Sequence, residues 1–232
     1  MKRICNILIV SMMALIMSSC NKDNDKTISP QFVDLGLSVK WATFNMGASA
    51  PEEYGDYYAW GETETKLKYF WTTYKFNKGS DDDVQLTKYC TDSDNGYNGF
   101  SDDILILESD DDVAHIKWGG NWRMPSKAEF EELLDTVHNT TIINDTVNQV
   151  IGIRISSKLD GFTNNSIFFP LAGYKGGSNP ISSGKSGHYW SNTLNSYSPT
   201  NSLDFSFKSG TDFELSTIGT RYVGYSVRPV CP

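Results

Sequence analysis

This chain of 232 residues has few of the side chains on which most catalytic and metal sites are built, with three histidines and four cysteines. No cysteine or histidine spacing is that of a zinc site, and no Gly-x-Ser-x-Gly elbow indicates a serine hydrolase. Twenty basic residues face 28 acidic ones, and the net charge of −8 disfavours binding to nucleic acid and anionic lipid. The sequence therefore predicts no enzyme, no metal site, no cofactor and no nucleic-acid partner.

Long apolar runs are missing too, except at the N-terminus. Residues 4–17 are almost wholly apolar and follow a basic pair, but they are shorter than the roughly 20 residues that span a bilayer. Two serines then precede Cys20, and this order is typical of a secretion signal. The junction resembles the bacterial lipobox, in which the cysteine is acylated and becomes the new N-terminus. We expect a signal peptide at 1–19 and lipidation at Cys20; an ordinary signal peptide with an incidental cysteine is the alternative.

The polar residues after Cys20 predict a tether over 20–32 that buries nothing. The pair Lys22-Asp23 resembles the surface-export signal of lipoproteins from gut Bacteroidetes. We therefore expect a protein of the outer membrane, at the cell surface, that contacts the membrane only through its lipid. Because the signal carries two basic residues away, the mature charge is about −10, counting from the −8 of the whole chain.

Cys90 and Cys231 are the two cysteines left for the folded part of the mature chain. A disulfide is allowed outside the cytoplasm, but the sequence does not show whether the two residues approach each other. A disulfide and a pair of free thiols both remain open.

The remaining residues, 33–232, show no linker and predict a single domain. Ser126 and Glu129 form a capping box, and apolar residues at helical spacing follow, which predicts a helix over 126–138. A shorter helix near 110–118 is weaker, and 173–187 is predicted as a Gly-rich loop. With several short strands late in the chain, the pattern predicts an α+β fold with an antiparallel sheet. The predicted strands are Val33–Trp41, Ile151–Ser156, Ser166–Leu171, Ser202–Phe207 and Tyr222–Val227.

Several motifs follow one another along the chain: Val33–Ala42, Asn45–Ala48, Tyr57–Thr63, Trp118–Ser126, Tyr189–Thr193 and Gly224–Val230. Their order resembles the Fibrobacter succinogenes major paralogous domain, which is abundant in Bacteroides surface lipoproteins. The resemblance runs from about residue 33 to the end, and Arg123–Phe130 also looks like a signature of the formylglycine-generating enzymes. This resemblance implies a C-type-lectin-like fold, in which one or two helices pack on a small twisted antiparallel sheet with long loops. The cysteine pair of those enzymes and the calcium motifs of the sugar-binding lectins are absent here.

Three residues within these motifs are predicted to have structural roles. Arg123 precedes a helix N-terminus, where a cation is unfavourable, so we expect it to be buried and held by an acid such as Asp111 or Asp112. Arg228 is a second buried arginine of this kind. Trp190 lies in a motif that recurs in the family and is expected in the core.

The stretch from 174 to 201 is rich in Gly, Ser, Asn and Tyr, which is the composition of adaptable recognition loops. Aromatic rings stack on sugars, and amides bond hydroxyls. We therefore expect a non-enzymatic binding module for a glycan or a protein; a structural or assembly role at the cell surface is the alternative. The candidate contact residues are His188, Tyr189, Asn192, Asn195, Tyr197 and Asn201.

Overall fold

Antiparallel strands build three sheets and one hairpin in the computed structural model, which describes residues 31–209 and 213–232. The strands are β1 Phe32–Val33, β2 Lys40–Ala42, β3 Thr140–Val147, β4 Val150–Ser157, β5 Ser166–Pro170, β6 Tyr174–Gly176, β7 Asn179–Ile181, β8 Ser186–Leu194, β9 Asn201–Lys208, β10 Phe213–Thr220 and β11 Val230–Cys231. The three-stranded sheets have the orders β1-β2-β11, β3-β4-β5 and β10-β9-β8, and β6 pairs with β7. With two helices, this confirms the predicted α+β class.

The described residues contain two α-helices, α1 Val113–Trp118 and α2 Lys127–Leu133. The predicted capping box of α2 is present, because the Ser126 hydroxyl accepts from the Glu129 N–H while the Glu129 carboxylate accepts from the Ser126 N–H. In the part of the chain that the structure describes, no helix is long and apolar enough to cross a membrane. Four short 3-10 helices complete the set: Trp71–Thr73, Ser93–Asn95, Tyr97–Gly99 and Ser109–Asp111.

The helix predicted over 126–138 is too long. It ends at Leu133, since the Asp135 carboxylate accepts from the N–H groups of Val137 and His138 and holds a turn there. Side-chain acceptors of this kind compete with the helix for backbone donors.

Two strand predictions and one loop prediction need correction. The strand predicted over Val33–Trp41 is two short strands, β1 and β2, because Gly36 has a φ of +77° and its N–H bonds the Asp34 carboxylate in a turn. The strand predicted over 222–227 is irregular and makes only isolated bridges. Conversely, β6 and β7 lie in the predicted loop 173–187, and β3, β8, β10 and β11 were not predicted.

Two clusters of buried side chains form the core. One packs around Trp60 and Trp190. The other lies where α2 meets the sheets: Phe130 has its ring 5.3 Å from that of Trp41 and 5.5 Å from that of Phe205. Because Trp190 and Phe205 lie on neighbouring strands, β8 and β9 connect the two clusters.

The β3–β4 hairpin turns through Asn148 and Gln149, which both have positive φ, 45° and 70°. This two-residue turn favours Gly at the second position, because a left-handed backbone is unfavourable in conformational free energy for Gln. We expect Gln149→Gly to raise the free energy of unfolding by about 0.5–1 kcal/mol, measured by urea denaturation. Asn148→Gly is the matched control and should change little, because Asn tolerates this region. Equal gains at both positions would contradict the argument.

Candidate ligand-binding groove

The six predicted contact residues lie in three different places in the structure. Tyr189 is fully buried, with its hydroxyl donating to the Pro170 carbonyl at 2.7 Å, and Asn192 is also buried. Neither is accessible to a ligand at the surface, which corrects the prediction for both. They are buried because β8 runs through the interior between the two core clusters, whereas the composition of the segment indicated an open loop.

Asn195, Tyr197 and Asn201 lie in or beside the turn between β8 and β9. The Asn195 carboxamide accepts from the Tyr197 N–H at 2.9 Å, and the Asn201 side chain donates to Ser198 Oγ at 3.1 Å, so both asparagines shape the turn. Tyr197 is 97% exposed. Ligand contact by these three residues stays a prediction.

His188 alone of the six lines a groove on the outer face of the β8-β9-β10 sheet. The groove has a volume of about 710 Å³. Its walls combine carboxylates, hydroxyls, an ammonium and apolar side chains, the mixture typical of small-ligand sites. It is lined by His188, Asp204, Ser206, Phe207, Lys208, Phe213, Glu214, Ser216, Ile218 and Tyr225.

Strand register brings the polar residues together. His188 lies opposite Ser206, and Ser206 lies opposite Glu214, so these three form one row across the sheet. Opposite residues share a face and alternate residues share a face, so Asp204 stands beside this row on the same side. The alternation Ser202, Leu203, Asp204, Phe205, Ser206, Phe207 was the sequence signal for a polar face on β9.

Asp204 and His188 form the buried end of the groove. His188 Nδ1 lies 3.2 Å from Asp204 Oδ2, and Asp204 is 1% exposed. Burial raises the pKa of Asp204 above its usual value, and the hydrogen bonds of His188 and Ser216 act in the opposite direction. Asp204 Oδ1 has no hydrogen-bond partner among the described residues. Burying a carboxylate is costly, so the bond to His188 helps to stabilise Asp204 in this position.

Aromatic rings fix the position of the imidazole. The His188 ring stacks on Tyr225 with centroids 4.9 Å apart, and Tyr174 packs edge-on at 5.4 Å. Tyr225 in turn packs on Trp190 at 4.2 Å. Gly219 allows β10 to approach closely, because a Cβ there would lie 2.5 Å from the Trp190 ring. Trp190 is fully buried, which confirms its predicted core role.

Arg228 is fully buried, as predicted, and its donors reach Asn45 Oδ1 and three backbone carbonyls. Burial lowers its pKa to about 10. A second buried arginine, Arg221, was missed: it bonds Tyr74 Oη and the carbonyls of Lys88, Tyr89 and Pro199. Its local sequence carries no signal that separates it from a surface arginine.

The predicted partner of Arg123 is wrong. Its guanidinium forms a two-pronged bond with Glu129, while Asp111 bonds Lys75, Lys88 and Tyr89, and Asp112 caps α1. The Arg123 side chain is also 36% exposed, so it is not fully buried as expected. Glu129 lies in the first turn of α2, six residues after Arg123, and it serves both the capping box and the ion pair.

Burial raises the pKa of Glu129, but the bonds from Arg123 and Ser126 outweigh it and hold that pKa below its usual value. Its stabilising effect is therefore present above the pKa of the unfolded chain and is lost as pH falls through the lowered value. We expect Glu129→Gln to lower the free energy of unfolding, measured by urea denaturation, by about 1–2 kcal/mol at neutral pH and not at all in strong acid. Glu131→Gln, an exposed acid of the same helix, should cost under about 0.5 kcal/mol at either pH. A loss at Glu129 that persists in acid would contradict the ion-pair argument.

Cys90 and Cys231 are both free thiols in the structure, so the disulfide alternative is not supported. Cys90 is buried, with its Sγ bonded to the Asp92 carbonyl at 3.0 Å, and Cys231 lies in β11. Cys20 lies outside the described residues.

Residues 31–209 and 213–232 contain no group of three or more His, Cys, Asp or Glu side chains placed to hold a metal ion. Comparison with protein-family models, curated proteins and solved structures gives no match to this chain. The chemistry of the groove is therefore read from its own residues.

Proposed function

We propose that this chain is a non-enzymatic lipoprotein of the bacterial cell surface, with a C-type-lectin-like domain that binds a glycan or protein segment in the β8-β9-β10 groove. The groove is the observation that carries the proposal. It is a concavity of mixed polarity, and a buried acid lies in its lining beside a histidine that packs between two aromatic rings. The acidic charge of the chain and the predicted tether support an exposed location.

Array binding by the purified chain tests the groove, with the same arrays probed by one groove variant and one control. Glu214→Arg reverses a charge exposed in the groove, and Glu131→Arg makes the same change on α2. We expect a glycan or peptide that binds the wild type and the control, and that the groove variant binds at least tenfold more weakly. Binding that both variants retain would place the ligand elsewhere and contradict the proposal.

The lipid anchor is tested by Cys20→Ala. We expect the variant to leave the membrane fraction, because acyl chains are the only proposed membrane contact. The measurement is fractionation followed by immunoblotting, with Cys231→Ala as the control that should stay membrane-bound. A Cys20→Ala protein that remains in the membrane fraction would disprove acylation as the anchor.

A structural or assembly role is the second candidate, and strand β3 favours it. This eight-residue strand pairs only with β4 in the part of the chain the structure describes, and Ile143 on it is 57% exposed. A long edge strand with exposed apolar residues can pair with another chain. Concentration-dependent association in light scattering that Ile143→Lys abolishes would support this role, and a monomer at all concentrations would oppose it.

A further inference from the structure

We infer that the groove selects a neutral, polyhydroxylated ligand, and that Asp204 is the positioning residue for this selection because it fixes the tautomer of His188. The inference rests on the proposed function only in taking the groove as the binding site. It adds the chemical class of the ligand and names His188 Nε2 as the atom that accepts a hydrogen bond from it.

The first step is the orientation of the imidazole. In its ionised form the Asp204 carboxylate only accepts hydrogen bonds, and Nδ1 of His188, which lies 3.2 Å from Asp204 Oδ2, then carries the proton. In a neutral imidazole the other nitrogen then has a free lone pair. Nε2 has no hydrogen-bond partner among the described residues, and the ring lines the groove. The groove therefore presents an acceptor at Nε2.

The second step is the row across the sheet. His188 and Glu214 flank Ser206, and neighbouring strands lie about 4.8 Å apart, so the backbones that carry the two acceptors lie about 10 Å from each other across the serine. Lys208, two residues beyond Ser206 on the same strand, only donates. A ligand on this face of the sheet therefore lies near two hydrogen-bond acceptors, the ammonium donor of Lys208 and the hydroxyl of Ser206.

The third step is to ask which ligand groups satisfy such a lining. A hydroxyl both donates and accepts, whereas a carboxylate or phosphate only accepts and an ammonium only donates. Anions also face the negative charges of Asp204 and Glu214, and cations face Lys208. Ile218 and the ring of Tyr225 offer apolar surface for the C–H faces of a sugar. A neutral saccharide fits all of these features.

The charged and titratable groups around His188 also define the effect of pH. They are Asp204 and Lys208 from β9, Glu214 from β10, and the phenols of Tyr174 and Tyr225. Imidazole is the side-chain type among them that ordinarily gains a proton between about pH 8 and about pH 5. A second proton converts Nε2 from an acceptor into a donor, so affinity for a hydroxyl that donates to Nε2 falls in acid.

The experiment combines calorimetry with NMR on the purified full chain. Maltotriose and cellotriose are the neutral probes, trigalacturonate is the anionic probe and spermidine the cationic one. Long-range ¹H–¹⁵N correlation reads the tautomer of each of the three histidines, and His188→Asn assigns the signal. We expect a protonated Nδ1 on His188, binding of a neutral trisaccharide, and weaker binding at about pH 5 than at about pH 8.

Three variants separate the positioning role from a merely structural one. His188→Asn keeps a donor for Asp204 but removes Nε2, and Asp204→Asn keeps the shape but no longer fixes the tautomer. Each should weaken trisaccharide binding about tenfold, and His188→Asn should also remove its pH dependence, with thermal unfolding confirming that the chain is folded. His138→Asn, at an exposed histidine outside the groove, should change neither.

Several results would overturn the inference. One is a proton on Nε2 at neutral pH, as a protonated Asp204 donating to Nδ1 would produce. Another is millimolar trisaccharide that does not bind, or that binds both variants as tightly as the wild type. If a charged probe binds and Glu214→Arg abolishes it, the ligand class is wrong while the groove stands as the binding site. Binding that Glu214→Arg leaves unchanged overturns the groove itself.

Discussion

Replacing Arg228 by methionine is expected to lower the free energy of unfolding by about 4 kcal/mol, close to the whole stability of many domains. The guanidinium donates to Asn45 Oδ1 at 2.9 Å and to the carbonyls of Ala42, Thr43 and Phe168. Methionine fills much of the space but supplies no donor, and each buried acceptor left without a partner costs about 1–3 kcal/mol.

An opposing effect must be weighed. Burial disfavours the charged guanidinium, as its lowered pKa of about 10 shows, and replacing a buried ion pair by apolar residues is often neutral or stabilising. That result depends on removing both partners together. Here the acceptors are mostly backbone carbonyls, which no substitution at Arg228 removes, so the loss of donors outweighs the relief of desolvation.

Urea denaturation of Arg228→Met measures the effect, with Arg154→Met as the matched control. The Arg154 side chain is 32% exposed and bonds the Asp145 carboxylate and Ser166 Oγ, so its loss should cost less than about 1 kcal/mol. Equal and small losses at both positions would show that water replaces the guanidinium at the carbonyls around Arg228.

The parts of the fold that were predictable depend on local chemistry. The Ser126 capping box specifies where α2 begins, because both of its bonds join residues three apart. The strand predicted over Ser202–Phe207 is confirmed within β9, since its alternation matches a sheet with one apolar face. The end of α2 was misjudged because a single Asp135 carboxylate competes for the backbone donors beyond it.

The groove could be predicted only in part, because it depends on which strands become neighbours. His188 and Asp204 are 16 residues apart, and only the β8–β9 register brings them within hydrogen-bond distance. Glu214 joins them through β10, a strand with no clear pattern of its own. Tyr225, which clamps the imidazole, comes from an irregular segment that was predicted as a strand. Composition therefore pointed to the segment that contains His188, but strand pairing determines which residues line the groove.

Replacing Trp190 by alanine is expected to cost about 3–5 kcal/mol, the usual range for a large buried aromatic. Trp190 is fully buried, its Nε1 donates to the Tyr58 carbonyl at 2.8 Å, and its ring packs on Tyr225. Because Tyr225 stacks on His188, the cavity left by alanine also weakens the packing that fixes the His188 ring. The loss should therefore appear both in urea denaturation and in the NMR signals of the His188 ring.

Two further variants divide this effect into packing and hydrogen bonding. Trp190→Phe keeps most of the packing and loses the indole donor; the Tyr58 carbonyl still accepts from the Tyr225 N–H at 3.0 Å, so we expect a loss of only about 1–2 kcal/mol. Trp122→Ala is the control, since Trp122 is half-buried and packs on Trp118 outside the groove. It should leave the His188 ring signals unchanged. The contrary result is a Trp190→Phe variant that is as destabilised as Trp190→Ala. That result would show that the hydrogen bond or the shape of the indole, and not the volume it fills, stabilises the packing under Tyr225.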